Sequence, residues 1–130
     1  MKKLLIIGAG GNIGRHLMQY FGKHAIGCYR TGTRCGIQLD IQKNRIFEPL
    51  SNPKIISHAI ILAGIVDPSV IVSNPTKAKE INVDATWQLI KDLIELNITP
   101  IFTSSDALFG KNSLSVICFH TCILKHLFMF

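Results

Sequence analysis

The sequence predicts an α/β domain built on a doubly wound parallel sheet, and three observations carry the prediction. The first is an unbroken apolar run, Leu4-Leu5-Ile6-Ile7, that follows Lys2-Lys3 and stops abruptly at Gly8-Ala9-Gly10-Gly11. A strand buried on both faces reads as continuously apolar, whereas a half-exposed one alternates. The second is a second short apolar run at 25–29 and further strand-like stretches at 36–41, 55–64 and 99–104, with helical spacing between several of them, which is how βαβ units read. The third is composition. Of 130 residues 48% are hydrophobic and 17% charged, which excludes a disordered chain and supplies one core rather than two. The expected strand order is 3-2-1-4-5, with ligands at the carboxyl ends of the strands around the switch between strands 1 and 4.

Residues 1–14 read as strand, glycine turn and helix. Glycines in the turn let backbone N–H groups approach a ligand without interference from a Cβ, and the N–H groups at the start of the next helix form a site for a phosphate. The common dinucleotide spacing G-x-G-x-x-G does not fit, because its third glycine falls on Ile13. The spacing G-x-x-G-x-x-G does fit, on Gly8, Gly11 and Gly14. With that spacing the segment resembles the nucleotide loop of the short-chain dehydrogenase/reductase superfamily. The resemblance implies a Rossmann-type domain whose cofactor lies against Gly8, Gly11, Asn12, Ile13 and Gly14.

Asn12–Phe21 is the first predicted helix, with Ile13, Leu17 and Tyr20/Phe21 on one face and Gly22 closing it. A second strand over Ala25–Tyr29 ends at Arg30-Thr31-Gly32-Thr33-Arg34. At this place in the topology a carboxylate bonds the ribose hydroxyls of NAD, while an arginine accommodates the 2′-phosphate of NADP. Arg30 and Arg34 stand there with no carboxylate, so NADP is favoured, with NAD as the alternative. Charge placement agrees. The first 39 residues hold Lys2, Lys3, Arg15, Lys23, Arg30 and Arg34 without one Asp or Glu, and the whole formal charge of +6 resides there. A nucleic-acid binder would show a basic helix or a stripe with interleaved aromatics; a local positive potential suits a pyrophosphate.

The third strand, 36–41, ends at Asp40, the first acidic residue. It resembles the L-D-hydrophobic triplet of extended short-chain dehydrogenases, which implies that Asp40 and Ile41 sit near the adenine amino group; Asp40 as a plain turn residue is the competing reading. Residues 43–54 read as a short helix or loop stopped by Pro49 and Pro53. The fourth strand, 55–64, runs into Leu62-Ala63-Gly64, similar to the small-residue element on which the family rests the ribose and nicotinamide side. His58 reads as a tolerated polar residue near the strand entrance, and no ligand set for a metal is present.

Asn74-Pro75 starts the longest helix, as N-cap and first helical residue. Its core stripe is expected to be Ile81, Ala85, Leu89, Leu93 and Leu96, with Lys79, Glu80, Asp84, Lys91, Asp92 and Glu95 on the wet side. The segment INVDATWQLI resembles the family's N-V-x-x-T helix, in which the residue matching Asn82 helps order the active-site backbone. A fifth strand, 99–104, enters Thr103-Ser104-Ser105-Asp106-Ala107-Leu108-Phe109-Gly110. This is similar to segments of dTDP-dehydrorhamnose reductases and of nucleotide-sugar epimerases and dehydratases, and aligning Phe109-Gly110 with their aromatic-Gly pair places the catalytic Ser/Thr on Ser105. Asp106 favours the reductase branch.

The resemblance covers 1–110, which reads as an incomplete NAD(P)-binding domain. Residues 111–130 form an apolar tail with no clean period and no caps, as a truncated or frame-shifted gene end would. The tail is too interrupted by His120, Lys125 and His126 for a membrane anchor. No secretory cleavage site follows the first apolar run and the four cysteines form no C-x-x-C pair, so the expected compartment is cytoplasmic. Function reads as an NADP-dependent sugar-nucleotide oxidoreductase, represented by its cofactor-binding portion and inactive alone, because no Tyr-x-x-x-Lys pair follows Ser105. The alternative is a non-catalytic nucleotide-binding remnant or regulatory module. The expected partners are the dinucleotide and, in full-length relatives, a sugar nucleotide, with self-association through an open sheet edge.

Overall fold

A computed structural model of the chain describes residues 2–31 and 35–103. Five strands, β1 (Lys3–Ile7), β2 (Ala25–Tyr29), β3 (Ile37–Gln38), β4 (Ile56–Ile61) and β5 (Thr99–Phe102), form one sheet in the order β3-β2-β1-β4-β5. Every neighbouring pair is parallel. The apolar first strand is therefore the central one, paired with β2 through Leu5↔Ile26 and with β4 through Leu5↔Ala59.

Alternate residues of β1 serve two cores. Leu5 and Ile7 face α4 (Thr86–Glu95), where Leu89, Ile90 and Leu93 pack with Ile46, Ile56 and Ile61. Ile6 faces the opposite layer, where Ala9 and Ala25 meet Leu17, Met18 and Phe21 of α1 (Asn12–Phe21). Both faces are covered, which explains why β1 carries no polar alternation.

The expected elements need correction at five points. The third strand is only Ile37–Gln38, and Asp40 lies beyond it in a turn. The α1 face differs from the expected one: Ile13 and Tyr20 are exposed, and Met18 takes a place against the sheet. A short helix not foreseen, α2 (Pro68–Ser73), precedes the long one; Asp67 caps it by accepting from the Ser69 backbone N–H at 2.8 Å. The long helix begins as foreseen, with Asn74 Oδ1 accepting from Lys77 N–H at 3.1 Å. It is not one regular helix, however. It runs as α3 (Pro75–Lys79), a π-helical segment Glu80–Ala85, and α4. Asp92, expected on the wet side, is buried.

Candidate functional site

In a parallel sheet all carboxyl ends lie on one edge, so the segments after β1, β2, β3 and β4 converge there. The glycine turn after β1 is built by contact with its neighbours. Gly8 and Ala9 both donate their backbone N–H to the Cys28 carbonyl of β2, at 3.2 and 3.0 Å, and Gly11 N–H donates to the Gly8 carbonyl at 3.1 Å. Gly8 adopts φ +92°, a backbone conformation that side chains disfavour, and a Cβ there would lie 2.9 Å from the Ala63 nitrogen of the turn after β4. At Gly14 a Cβ would overlap the Gly8 carbonyl and lie 2.7 Å from Ala9 Cα. These two glycines thus let the turn close against β4 and let α1 approach β1. Gly11, extended at φ −71° and ψ 171°, precedes α1.

The first residues of α1 are Asn12, Ile13 and Gly14. No side chain caps this end and no carboxylate stands in its first turn. Backbone N–H groups at the start of a helix have no carbonyl one turn earlier to bond, and the helix dipole adds positive potential there. Arg15 Nη2 donates to Asn12 Oδ1 at 2.8 Å, which places a guanidinium beside the same end.

Arg30 follows β2 directly and is exposed; Arg34 lies outside the described residues. Asp40 is half-buried and closes a turn, its Oδ1 accepting from Gln42 N–H at 3.1 Å and its carbonyl accepting from Lys43 and Asn44 at 2.9 Å. Ile41 packs partly against the core. Leu62 N–H donates to the Ile7 carbonyl at 2.8 Å, which carries the β1–β4 pairing one residue past β4 and sets Ala63 against Gly8 of the glycine turn, while Gly64 lies beside Asn82. Ser105 lies outside the described residues, two positions beyond Thr103, whose hydroxyl donates to the Ile61 carbonyl at 3.2 Å.

Asn82 is the residue whose role the geometry sharpens most. Its Oδ1 accepts from Ile65 N–H at 2.7 Å and its Nδ2 donates to the Ile65 carbonyl at 2.8 Å. One side chain therefore fixes both polar groups of the residue after Gly64. It does so from inside the π-helical segment, and Thr86 Oγ1, at the start of α4, donates back to the Ile81 carbonyl of that segment at 3.0 Å. Single π turns inside helices often mark functional sites.

A central parallel sheet, a glycine turn fitted between β2 and β4, and an uncapped helix start define a Rossmann-like α/β domain. The chain belongs to the NAD dependent epimerase/dehydratase family, whose model matches residues 4–117. A curated relative, methionine adenosyltransferase 2 subunit beta from Bos taurus, is 30% identical over 119 residues, covering 85% of this chain and 35% of its own length. Among solved structures, L-threonine dehydrogenase from Clostridium difficile matches with TM-score 0.72 and 30% identity, over 87% of this chain and 39% of that one. A hypothetical dTDP-4-dehydrorhamnose reductase from Sulfolobus tokodaii matches with TM-score 0.69 and 23% identity, over 85% and 42%. The chain thus spans well under half the length of the proteins it resembles.

Proposed function

We propose that this chain is the cofactor-binding portion of an NAD(P)-dependent enzyme that modifies a nucleotide-linked sugar. The observation that carries the proposal is the turn from Gly8 to Gly14, in which space for a Cβ is absent at both ends and the helix that follows starts with no side-chain cap and no carboxylate in its first turn. Such a turn suits the pyrophosphate of a dinucleotide. In this reading Gly8, Gly11, Asn12, Ile13 and Gly14 hold the pyrophosphate, Asp40 and Ile41 flank the adenine, and Leu62, Ala63 and Gly64 support the ribose and nicotinamide side. When bound, the dinucleotide supplies a hydride acceptor or donor; the chain's own residues bind and orient it. Ser105 is the group proposed to hydrogen-bond the substrate oxygen. The last tyrosine in the sequence is Tyr29, so the phenol that would exchange a proton with that oxygen is not among these 130 residues, and the chain alone is proposed to lack hydride transfer.

The cofactor itself is proposed to be NADP. The family's description names NAD, and the support for NADP is local: Arg30 follows β2 and Arg34 lies four residues on, where a 2′-phosphate is met. A charge-assisted hydrogen bond contributes about 1.5–3 kcal/mol, so NADPH is expected to bind about tenfold more tightly than NADH. Titration calorimetry on the full chain checks this. The preference disappears in an Arg30→Ala, Arg34→Ala double variant; equal affinities in the unmodified chain would assign it to NAD instead, and binding of neither would remove the cofactor reading.

A second reading is favoured by one comparison. The relative from Bos taurus carries the name of a subunit of another enzyme, which fits a dinucleotide-binding module that regulates without catalysing. Both readings share the cofactor site and part at Ser105, which has a substrate oxygen to bond only in the first.

A further inference from the structure

The loop that follows β3 is held to α4 by a side-chain clamp. Arg45 donates through Nε to Asp92 Oδ2 at 2.6 Å and through Nη2 to Asp92 Oδ1, so the guanidinium meets the carboxylate with both prongs of its fork. Gln88 Nε2 donates to Oδ1 at 2.8 Å, and the Ile46 backbone N–H donates to the same carboxylate. The Asp92 side chain is 1% exposed and that of Arg45 48%. Beside the clamp lies a cavity of 330 Å³ bounded by Ile41, Lys43 and Arg45 on the loop and by Glu80 and Gln88 on the helix. Ile41 and Ile46 pack against the core at the two ends of this stretch and local hydrogen bonds to Asp40 and Glu48 shape it, while the Arg45–Asp92 pair is the side-chain tie that joins it to α4.

A carboxylate is a poor choice for stability at a buried helix position. Its desolvation offsets much of the attraction to its partner, and apolar residues of similar volume in place of such pairs are often neutral or stabilising. What a bidentate pair adds is direction: it sets where Arg45 sits and hence the path of the chain back to Asp40. We propose that Asp92, acting through Arg45, is a positioning residue for the adenine end of the dinucleotide, holding the Asp40–Ile41 turn at the height the adenine requires. This inference rests on the cofactor reading above. It also makes the long helix a double anchor, since Asn82 grips the turn after β4 while Asp92 grips the turn after β3.

The test uses the full chain with NADPH and with reduced nicotinamide mononucleotide, which lacks the adenine half. Arg45→Gln and Asp92→Asn are each expected to weaken NADPH binding about tenfold and leave the mononucleotide unchanged, with the double variant no worse than either single one. Arg45 is half-exposed, so its variant keeps the clamp testable if Asp92→Asn fails to fold. Amide exchange over residues 39–48 is expected to quicken in both variants. Unchanged NADPH affinity in a folded Arg45→Gln variant overturns the proposal, as does an equal loss for both ligands. If the unmodified chain binds neither ligand, the cofactor reading fails and takes the adenine role with it, while the exchange data still decide whether the clamp orders the loop.

Discussion

At the scale of single residues, Asp92 shows how a long-range partner changes the meaning of a sequence position. Burial pushes its carboxyl pKa up, but the hydrogen bonds from Arg45 and Gln88 outweigh that and hold it below the ordinary carboxylate range. A depressed folded-state pKa contributes stability above the unfolded value, near 3.9, and that contribution is lost as pH falls through the folded pKa. The urea midpoint is accordingly expected to be level from about pH 5 to neutrality and to fall below about pH 4, with a shallower acid decline in Asp92→Asn. At Gly14 the expectation is steric. The atoms a methyl group would strike are backbone atoms of Gly8 and Ala9, which yield only by moving α1, so Gly14→Ala is expected to lower stability by about 2–3 kcal/mol, read from the urea midpoint at neutral pH. Gly14 was legible from spacing alone. Asp92 was not, because helical periodicity places it with Glu95 and Lys91 on a wet face, and the residue that covers it lies 47 positions earlier in the chain.

At the scale of elements, continuous apolar runs made β1, β2 and β4 readable, since a fully buried strand leaves a simple mark. β3 is two residues long: among the described residues its outer side has no neighbour in the sheet, and Asp40 turns the chain before a longer ladder forms. The long helix was read as regular, and its face came out one residue off in the first half: Ile81 and Ala85, expected in the core, are half-buried, whereas Asn82 bonds Ile65 and Thr86 is buried. The wider turn of the π segment adds a residue there, and beyond it the expected Leu89 and Leu93 are buried as foreseen. Asn82 depends on that shift. Asn82→Ala leaves both polar groups of Ile65 without their side-chain partner and is expected to lower stability by about 1–2 kcal/mol. Asn82→Asp keeps the acceptor but turns an oxygen toward the Ile65 carbonyl, and is expected to be at least as damaging. Thermal unfolding of the two variants side by side checks the order.

At the scale of the whole molecule, the sheet among the described residues ends at β5, where Ile101 is 42% exposed and Pro100 removes one backbone donor. An uncovered strand edge invites pairing with another chain. The full chain is expected to self-associate with rising concentration in analytical ultracentrifugation. Removal of residues 111–130 separates two causes. If it leaves a folded protein that still associates, the edge is responsible, and if it yields a monomer, the tail is.

The all-parallel pairing has a further consequence, for the time course of folding. No strand pairs with its successor through a tight hairpin: β1 waits for β2 beyond α1, and its other side stays unmatched until Ala59 and Ile61 are available. Contacts of such sequence separation must be reached before they reward the closure of the loop between them, which slows folding and prolongs exposure of apolar strands. On the ribosome the central strand is made before both of its partners and must wait for the later one to be enclosed. For that interval LLII is an open apolar ribbon, and the lysines at its head and the glycines at its foot are what stand between it and its copies on neighbouring chains.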